Sequence, residues 1–333
     1  MKRIFLSIAF AVLLVTGLPV SGWAAELLIP VGKVIGLQLE DGTVTVAAFD
    51  DLLGGNAKDA GLQIGDEIVR IDSTQVSCAG DIRQALKTCG DTLEVSVRRG
   101  SKLCTLRMTP ARSGDTPKLG VFLRQGIAGI GTVTWYDPES GKFGTLGHGV
   151  SNGQGMLLNM TRGFAYEATV MDVRRGKSGS PGQLKGDADT DSVFGSLLRN
   201  TPQGVFGITK TGWSGEPLPV AAFSDVRIGP ACIRSTVAGR DTQEYSVEIC
   251  RIYPEDRSDG RNFLIKVTDP ALLTATGGIV QGMSGSPIIQ DGKLVGAVTH
   301  VLVNDPTRGY GIFIENMLEA ASLPTNQTQI TVG

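Results

Sequence analysis

The chain has 333 residues, 41% of them hydrophobic and 19% charged, which fits a folded globular protein and excludes a disordered one. This length exceeds what one small core usually holds, so two folded domains are expected. The 31 basic and 33 acidic side chains leave a net charge of −2, which gives no electrostatic footprint for nucleic acid or an anionic membrane surface.

At the N-terminus, Lys2 and Arg3 precede an apolar run from Ile4 to about Val20, and Gly22-Trp23-Ala24 places small residues where a signal peptidase cuts. Residues 1–25 therefore read as an export signal, with an uncleaved membrane anchor as the alternative. No second apolar run of about 18 residues follows, so the rest of the chain is expected outside the cytoplasm. Five cysteines, Cys78, Cys89, Cys104, Cys232 and Cys250, lack CxxC spacing, and no metal site is indicated. Cys78 and Cys89 bracket a predicted helix and could pair in an oxidising compartment, or all five could stay free.

From Val31 to about Thr109, short strands alternate with glycine turns: Val34–Leu39, Thr43–Ala47, Glu67–Asp72, Leu93–Arg98 and Leu103–Met108, with one helix near 80–87. Within this stretch, the segment from Asn56 through Ala60-Gly61-Leu62 and Gly65-Asp66 to Asp72 resembles the helical turn and strand of PDZ domains. Gly61 and Gly65 are expected at positive φ, and Ile64, Ile68 and Ile71 are expected to face inward. The resemblance implies a peptide-binding PDZ domain over residues 28–110. Its carboxylate loop and exposed edge strand would be Val31, Gly32, Lys33, Val34, Ile35 and Gly36.

Residues 111–117, polar and bounded by Pro110 and Pro117, read as a linker. A second domain over 118–322 opens with Thr132–Tyr136 and Lys142–Leu146 as a hairpin. Helical periodicity is nearly absent until Glu315–Ala321, which predicts an all-β barrel or sandwich, with residues 323–333 as a tail.

The sharpest chemical signal is Gln281-Gly282-Met283-Ser284-Gly285-Ser286-Pro287, leading into a hairpin across Asp291-Gly292. It resembles the nucleophile segment of trypsin-like serine peptidases. In that arrangement Ser284 presents the hydroxyl, and the amides of Gly282 and Ser284 converge on a developing oxyanion. Gly176-Lys177-Ser178-Gly179-Ser180-Pro181 carries nearly the same pattern, but the polar run after it does not suit a buried supporting hairpin. A serine nucleophile needs a base, and only two histidines exist. His148, in Gly147-His148-Gly149 at a strand end, is favoured over His300, which ends an apolar strand and reads as a packed residue.

Phe143-Gly144-Thr145-Leu146-Gly147-His148-Gly149, together with residues 282–301 and the following Val303-Asn304-Asp305-Pro306-Thr307, resembles the stage IV sporulation protein B (SpoIVB) family of peptidases. The resemblance implies a mainly β chain, a PDZ domain followed by a trypsin-like double β-barrel, with Ser284 as nucleophile, His148 as general base and Asp269 as acid. From spacing, Asp172 is an alternative acid, and Asp305 is another from its nearness to the last strands. The resemblance also implies no cofactor, and a peptidase exported from the forespore into the intermembrane space. There it would cleave itself near the N-terminus and clip a membrane-bound regulator, freeing an intramembrane protease to process a sigma-factor precursor. The alternative is an exported PDZ scaffold whose barrel has lost catalysis.

Overall fold

The computed structural model describes residues 26–253 and 260–322. The expected export segment at 1–25 and the tail at 323–333 lie outside the described residues. No helix among the described residues is long and apolar enough to cross a membrane.

The chain begins with β1 (Leu27–Pro30) and β2 (Val34–Phe49). An inserted module follows: α1 (Gly55–Asp59), β3 (Glu67–Ile71), β4 (Thr74–Gln75), α2 (Ala79–Lys87), β5 (Leu93–Arg99), β6 (Lys102–Met108), β7 (Ala111–Ser113) and β8 (Thr116–Lys118). The long strand β9 (Val121–Tyr136) runs back out of the module and is followed by β10 (Lys142–Thr145), β11 (Arg162–Arg174), β12 (Gln183–Thr201) and β13 (Gly204–Thr209). Hydrogen bonding passes from β2 to β9, β10, β13, β12 and β11 and back to β2, so these six strands close on themselves. The short strand β14 (Leu218–Pro219) leads across to the second half.

That half comprises β15 (Gly229–Ser235), β16 (Gln243–Ile252), β17 (Phe263–Val267), α3 (Pro270–Thr276), β18 (Pro287–Gln290), β19 (Lys293–Leu302), β20 (Asp305–Phe313) and α4 (Ile314–Ser322). Its strands form a closed barrel in the order β15-β16-β17-β20-β19-β18. Both barrels satisfy every strand edge by closure and bury alternate side chains inward. Ile35, Leu37, Leu39, Val133, Phe143 and Val205 fill the first, and Ile233, Ile249, Phe263, Ile265 and Val298 the second. The mainly β, double-barrel expectation holds.

The boundaries expected from the sequence do not hold. The inner half of β2, Val34 to Glu40, pairs with β9 on one side (Val34↔Thr132 to Leu39↔Ile127) and with β11 on the other (Ile35↔Glu167 to Glu40↔Arg162). Val31–Gly36 are therefore not an exposed loop and edge strand. Gly32, Val34, Ile35 and Gly36 are buried, and a Cβ on Gly32 would lie 2.7 Å from the Arg234 carbonyl oxygen. The run Val34-Ile35-Gly36-Leu37 is apolar because it has a barrel face to fill. The predicted linker is a small hairpin, with Ala111–Ser113 paired to Thr116–Lys118. The module is thus an insertion in a two-stranded ribbon, since the outer half of β2 still pairs with β9 (Val44↔Gln125 to Phe49↔Val121).

Inside the module, Gly61 and Gly65 take positive φ (89° and 91°) and Ile68 and Ile71 are buried, as expected. Ile64 instead is 64% exposed, because Leu62 takes the inward position one turn earlier. Cys78 and Cys89 flank α2 without a bridge, and all five cysteines are free thiols. A further departure is α3, where Asp269 accepts from the amides of Ala271 and Leu272 ahead of Pro270, and Gly277 closes the helix at φ 76°. This is the Asx cap, N1 proline and C′ glycine pattern of helix ends.

The insertion predicts opposite outcomes for two deletions. Replacing residues 41–126 with a short glycine-containing turn keeps both barrels and a cooperative melt. Removing residues 28–110 takes all of β2 from the first barrel, with most of β1, and abolishes that cooperativity. Circular dichroism against temperature distinguishes the two.

Candidate active site

His148 belongs to the first barrel and Ser284 to the second, and both line one cleft of about 320 Å³ together with Ile130, Leu146, Ile279, Val280, Gln281, Gly282, Thr299, His300 and Val301. The local backbone explains each placement. After β10, Leu146 and Gly147 both adopt left-handed conformations (φ 71° and 68°), a conformation that costs a residue with a Cβ of the order of 1 kcal/mol. Leu146 is buried there, so the fold bears the strain in order to turn His148 into the cleft. Gly147 has no room for a side chain, because a Cβ would lie 2.9 Å from the Thr299 methyl.

The Ser284 loop bends at Gly282 (φ 98°) and Gly285 (φ 95°). Met283 donates to the Val280 carbonyl, Gly285 to Val298 and Ser286 to Met283. Among the described residues, the amides of Gly282 and Ser284 donate to no backbone carbonyl, so they are available to an incoming oxyanion. A Cβ on Gly285 would overlap the Thr132 carbonyl oxygen and the Leu146 amide nitrogen, which makes this glycine obligatory for a close approach of the barrels.

Thr132, fully buried on β9, makes that approach specific. Its amide donates to the Ser284 carbonyl at 3.0 Å and its hydroxyl donates to the Gly282 carbonyl at 2.8 Å. Its own carbonyl accepts from the Thr145 hydroxyl at 2.6 Å and the Leu146 amide at 3.3 Å. One residue therefore ties the serine-bearing loop to the histidine-bearing turn. Sequence reasoning passed over it, because threonine in an apolar strand is ordinary β composition.

The His148 Nδ1 lies 3.0 Å from the Gly149 carbonyl oxygen. A carbonyl only accepts, so this contact places the proton on Nδ1 and leaves the Nε2 lone pair for a proton from elsewhere. Burial in the cleft pushes the His148 pKa below its ordinary value, opposed by this carbonyl. The Ser284 hydroxyl donates to the Thr299 carbonyl at 2.8 Å. The His300 ring stands 5.2 Å from that of His148, centroid to centroid, so the residue expected to pack at a strand end also lines the cleft.

The three carboxylates considered from the sequence are not brought to His148. Asp269 spends its oxygens on the amides of Ala271 (2.9 Å), Leu272 (3.1 Å) and Ser246 (3.3 Å), as the cap of α3, and does not line the cleft. Asp172 pairs with Lys185 on the surface, and Asp305 caps its own turn at Thr307 and pairs with Arg308. In this structure the orienting contact to the His148 ring comes from the Gly149 carbonyl instead. Ser178 of the look-alike motif is exposed and donates to the Asn304 carbonyl, outside the cleft. Cys232, whose thiol is pushed up to about 12 chiefly by burial, is no nucleophile at neutral pH.

Thr132→Val keeps the shape and strands the Gly282 carbonyl without its donor. It should destabilise the protein by about 1–3 kcal/mol, read as a lower melting temperature. Thr132→Ser restores the hydroxyl and should recover most of the loss.

Residues 115–318 match the family model of SpoIVB peptidase S55. No curated protein sequence matches the chain. Among solved structures, the Rv3671c protease of M. tuberculosis is similar in its inactive form, at 14% identity and a TM-score of 0.35, over 59% of this chain and 85% of that one. Its active form gives 15% identity and a TM-score of 0.37, over 60% and 76%. With more than half of its length matched by that family model, over a region that holds both the Ser284 loop and the His148 turn, the chain belongs to the SpoIVB peptidase S55 family of serine peptidases.

Proposed function

We propose that Ser284 is the nucleophile of this peptidase and His148 its general base, acting on peptide bonds by acyl transfer. The observation that carries the reading is the meeting of Ser284 and His148 in one cleft, each from a different barrel, beside two amides with no backbone acceptor among the described residues. The serine hydroxyl turns from the Thr299 carbonyl to the imidazole Nε2, which takes its proton as Oγ bonds to the substrate carbonyl carbon. The oxyanion rests on the amides of Gly282 and Ser284. The imidazolium returns the proton to the leaving amine, and water then hydrolyses the acyl-enzyme by the same route. The Gly149 carbonyl fixes the ring for both steps.

In this reading the enzyme is exported and serves endospore formation in the forespore intermembrane space, with a membrane-bound regulator of an intramembrane protease as substrate. Self-cleavage near the N-terminus agrees with the position of β1. Because Ile29 and Pro30 pair with Tyr136 and Trp135, a cut ahead of Glu26 leaves the barrel whole. The inserted module is the peptide-recognition element of the PDZ reading, on a different edge from residues 31–36. Residues 121–125 of β9 pair only with β2 among the described strands, and the Ala79 amide of α2 donates to the Gln125 side chain beside them. An intact nucleophile, base and pair of amides speaks against a catalytically silent scaffold.

Intact-mass analysis of the full-length protein over time is expected to show fragments that are absent from Ser284→Ala and His148→Ala, with turnover falling by roughly 10⁴-fold or more in each variant. Unchanged cleavage by Ser284→Ala would sink the assignment. Burial disfavours the charged imidazole, so His148 stays neutral to lower pH. The acid limb of kcat/KM should therefore lie below the ordinary value of 6.5.

A further inference from the structure

The cleft also limits what can sit beside Ser284, and we infer that this peptidase takes a small aliphatic side chain, alanine or valine, at the residue whose carbonyl is attacked. The inference rests on the assignment of Ser284 as nucleophile.

If the scissile carbonyl oxygen points at the amides of Gly282 and Ser284, the side chain of the same residue falls between two walls. One wall is the segment Ile279-Val280-Gln281. The other is the end of β19, Thr299 to Val301, where β18 has already stopped opposite Ala297 and the strand borders the cleft. Both walls are pinned. The Ile279 amide donates to the Pro306 carbonyl at 2.7 Å, the Gln281 amide donates to Gly182 at 3.0 Å, and the Leu184 amide donates to the Gln281 carbonyl at 2.8 Å. Val298 and Gly285 hold β19 to the nucleophile loop. Fixed walls cannot part for a larger side chain without breaking backbone hydrogen bonds.

The end of this slot is closed. Ile279, 2% exposed, lies directly on Gly309, where an added Cβ would be 2.5 Å from the isoleucine Cδ1. The glycine at 309 thus makes space that the isoleucine already fills. Gly278 abuts the Pro306 backbone in the same way. What remains for the slot is only part of the cleft, because its 320 Å³ also includes the space in front of both imidazoles and the serine.

The chemistry of the walls is equally restrictive. Ile279, Val280 and Val301 are aliphatic, and among the described residues those lining the cleft include no Asp, Glu, Lys or Arg. A lysine or glutamate side chain entering would be desolvated with no opposite charge to meet, which costs several kcal/mol. An aromatic ring has no depth to occupy. Alanine or valine buries its methyl groups against the three aliphatic residues without displacing any wall, and each methyl group that fits raises discrimination roughly 10- to 200-fold.

The test uses the full-length protein with two probe types. A fluorophosphonate without a peptide side chain reports whether Ser284 is a competent nucleophile. Peptidyl diphenyl phosphonates that differ only in the residue at phosphorus (Ala, Val, Phe, Lys or Glu) report the slot. In each, Oγ of Ser284 bonds to phosphorus, His148 takes the hydroxyl proton, and fluoride or phenolate leaves. The Ala and Val probes should label at least about tenfold faster than Phe, Lys or Glu, on the scale set by one or two methylene groups. Fluorophosphonate labelling with Phe, Lys or Glu as the fastest phosphonate overturns the inference and leaves the nucleophile assignment standing. Absence of fluorophosphonate labelling overturns both.

Two variants sharpen the result. Ile279→Ala opens the floor over Gly309 and should raise the Phe-to-Ala rate ratio by tenfold or more. Val301→Asp, at the half-exposed mouth, should raise the Lys-to-Ala ratio similarly. Unchanged ratios in a folded Val301→Asp protein would show that the substrate side chain lies elsewhere.

Discussion

At the cleft, the two barrels are tied together by a buried threonine. Each backbone group of Thr132 and its hydroxyl are engaged, on one side with Gly282 and Ser284 and on the other with Thr145 and Leu146. An interface that relied on apolar contact alone would fix the barrels' separation but not their register, since burial is non-directional. Hydrogen bonds to named carbonyls fix register to a few tenths of an ångström. The distance between serine and imidazole is therefore set by backbone geometry, and the glycine at 285 and the left-handed turn at Leu146-Gly147 follow from the need to let that geometry close.

Ser284 and His148 each rest on a main-chain carbonyl, Thr299 and Gly149 respectively. Met283 is fully buried behind Ser284, and the loop is held by its packing, by Thr132 and by backbone hydrogen bonds to β19.

Much of this was legible in the residues. The glycine spacing around Ser284 and His148 signals loops that must approach other backbone closely, and both fall in the cleft. The alternating apolar runs announce closed β structure. What misled was locality. Val31–Gly36 look like the first strand of the domain that follows them in sequence, because nothing local distinguishes a strand paired with its neighbour from one paired across a long insertion. Asp269-Pro270 carried a helix-cap signature of its own, which the family resemblance that marked the aspartate as acid passed over. Thr132 gave no signal and His300 read as a packed strand-end residue, since their significance lies in contacts made across the two halves of the chain.

The ribbon joining module and barrel has a consequence for how the chain finds its fold. Leu39 and Ile127 are neighbours in the first barrel yet distant in sequence, and closing so long an unfolded loop carries an entropic penalty that slows barrel formation. A module that folds first on its own core, Val44 through Leu119, brings those ends together beforehand. To the barrel, the folded module then acts as a tight hairpin, converting a distant pairing into a local one. Mutations deep in the module, far from Ser284, should slow maturation of the catalytic half even where they leave the finished structure unchanged.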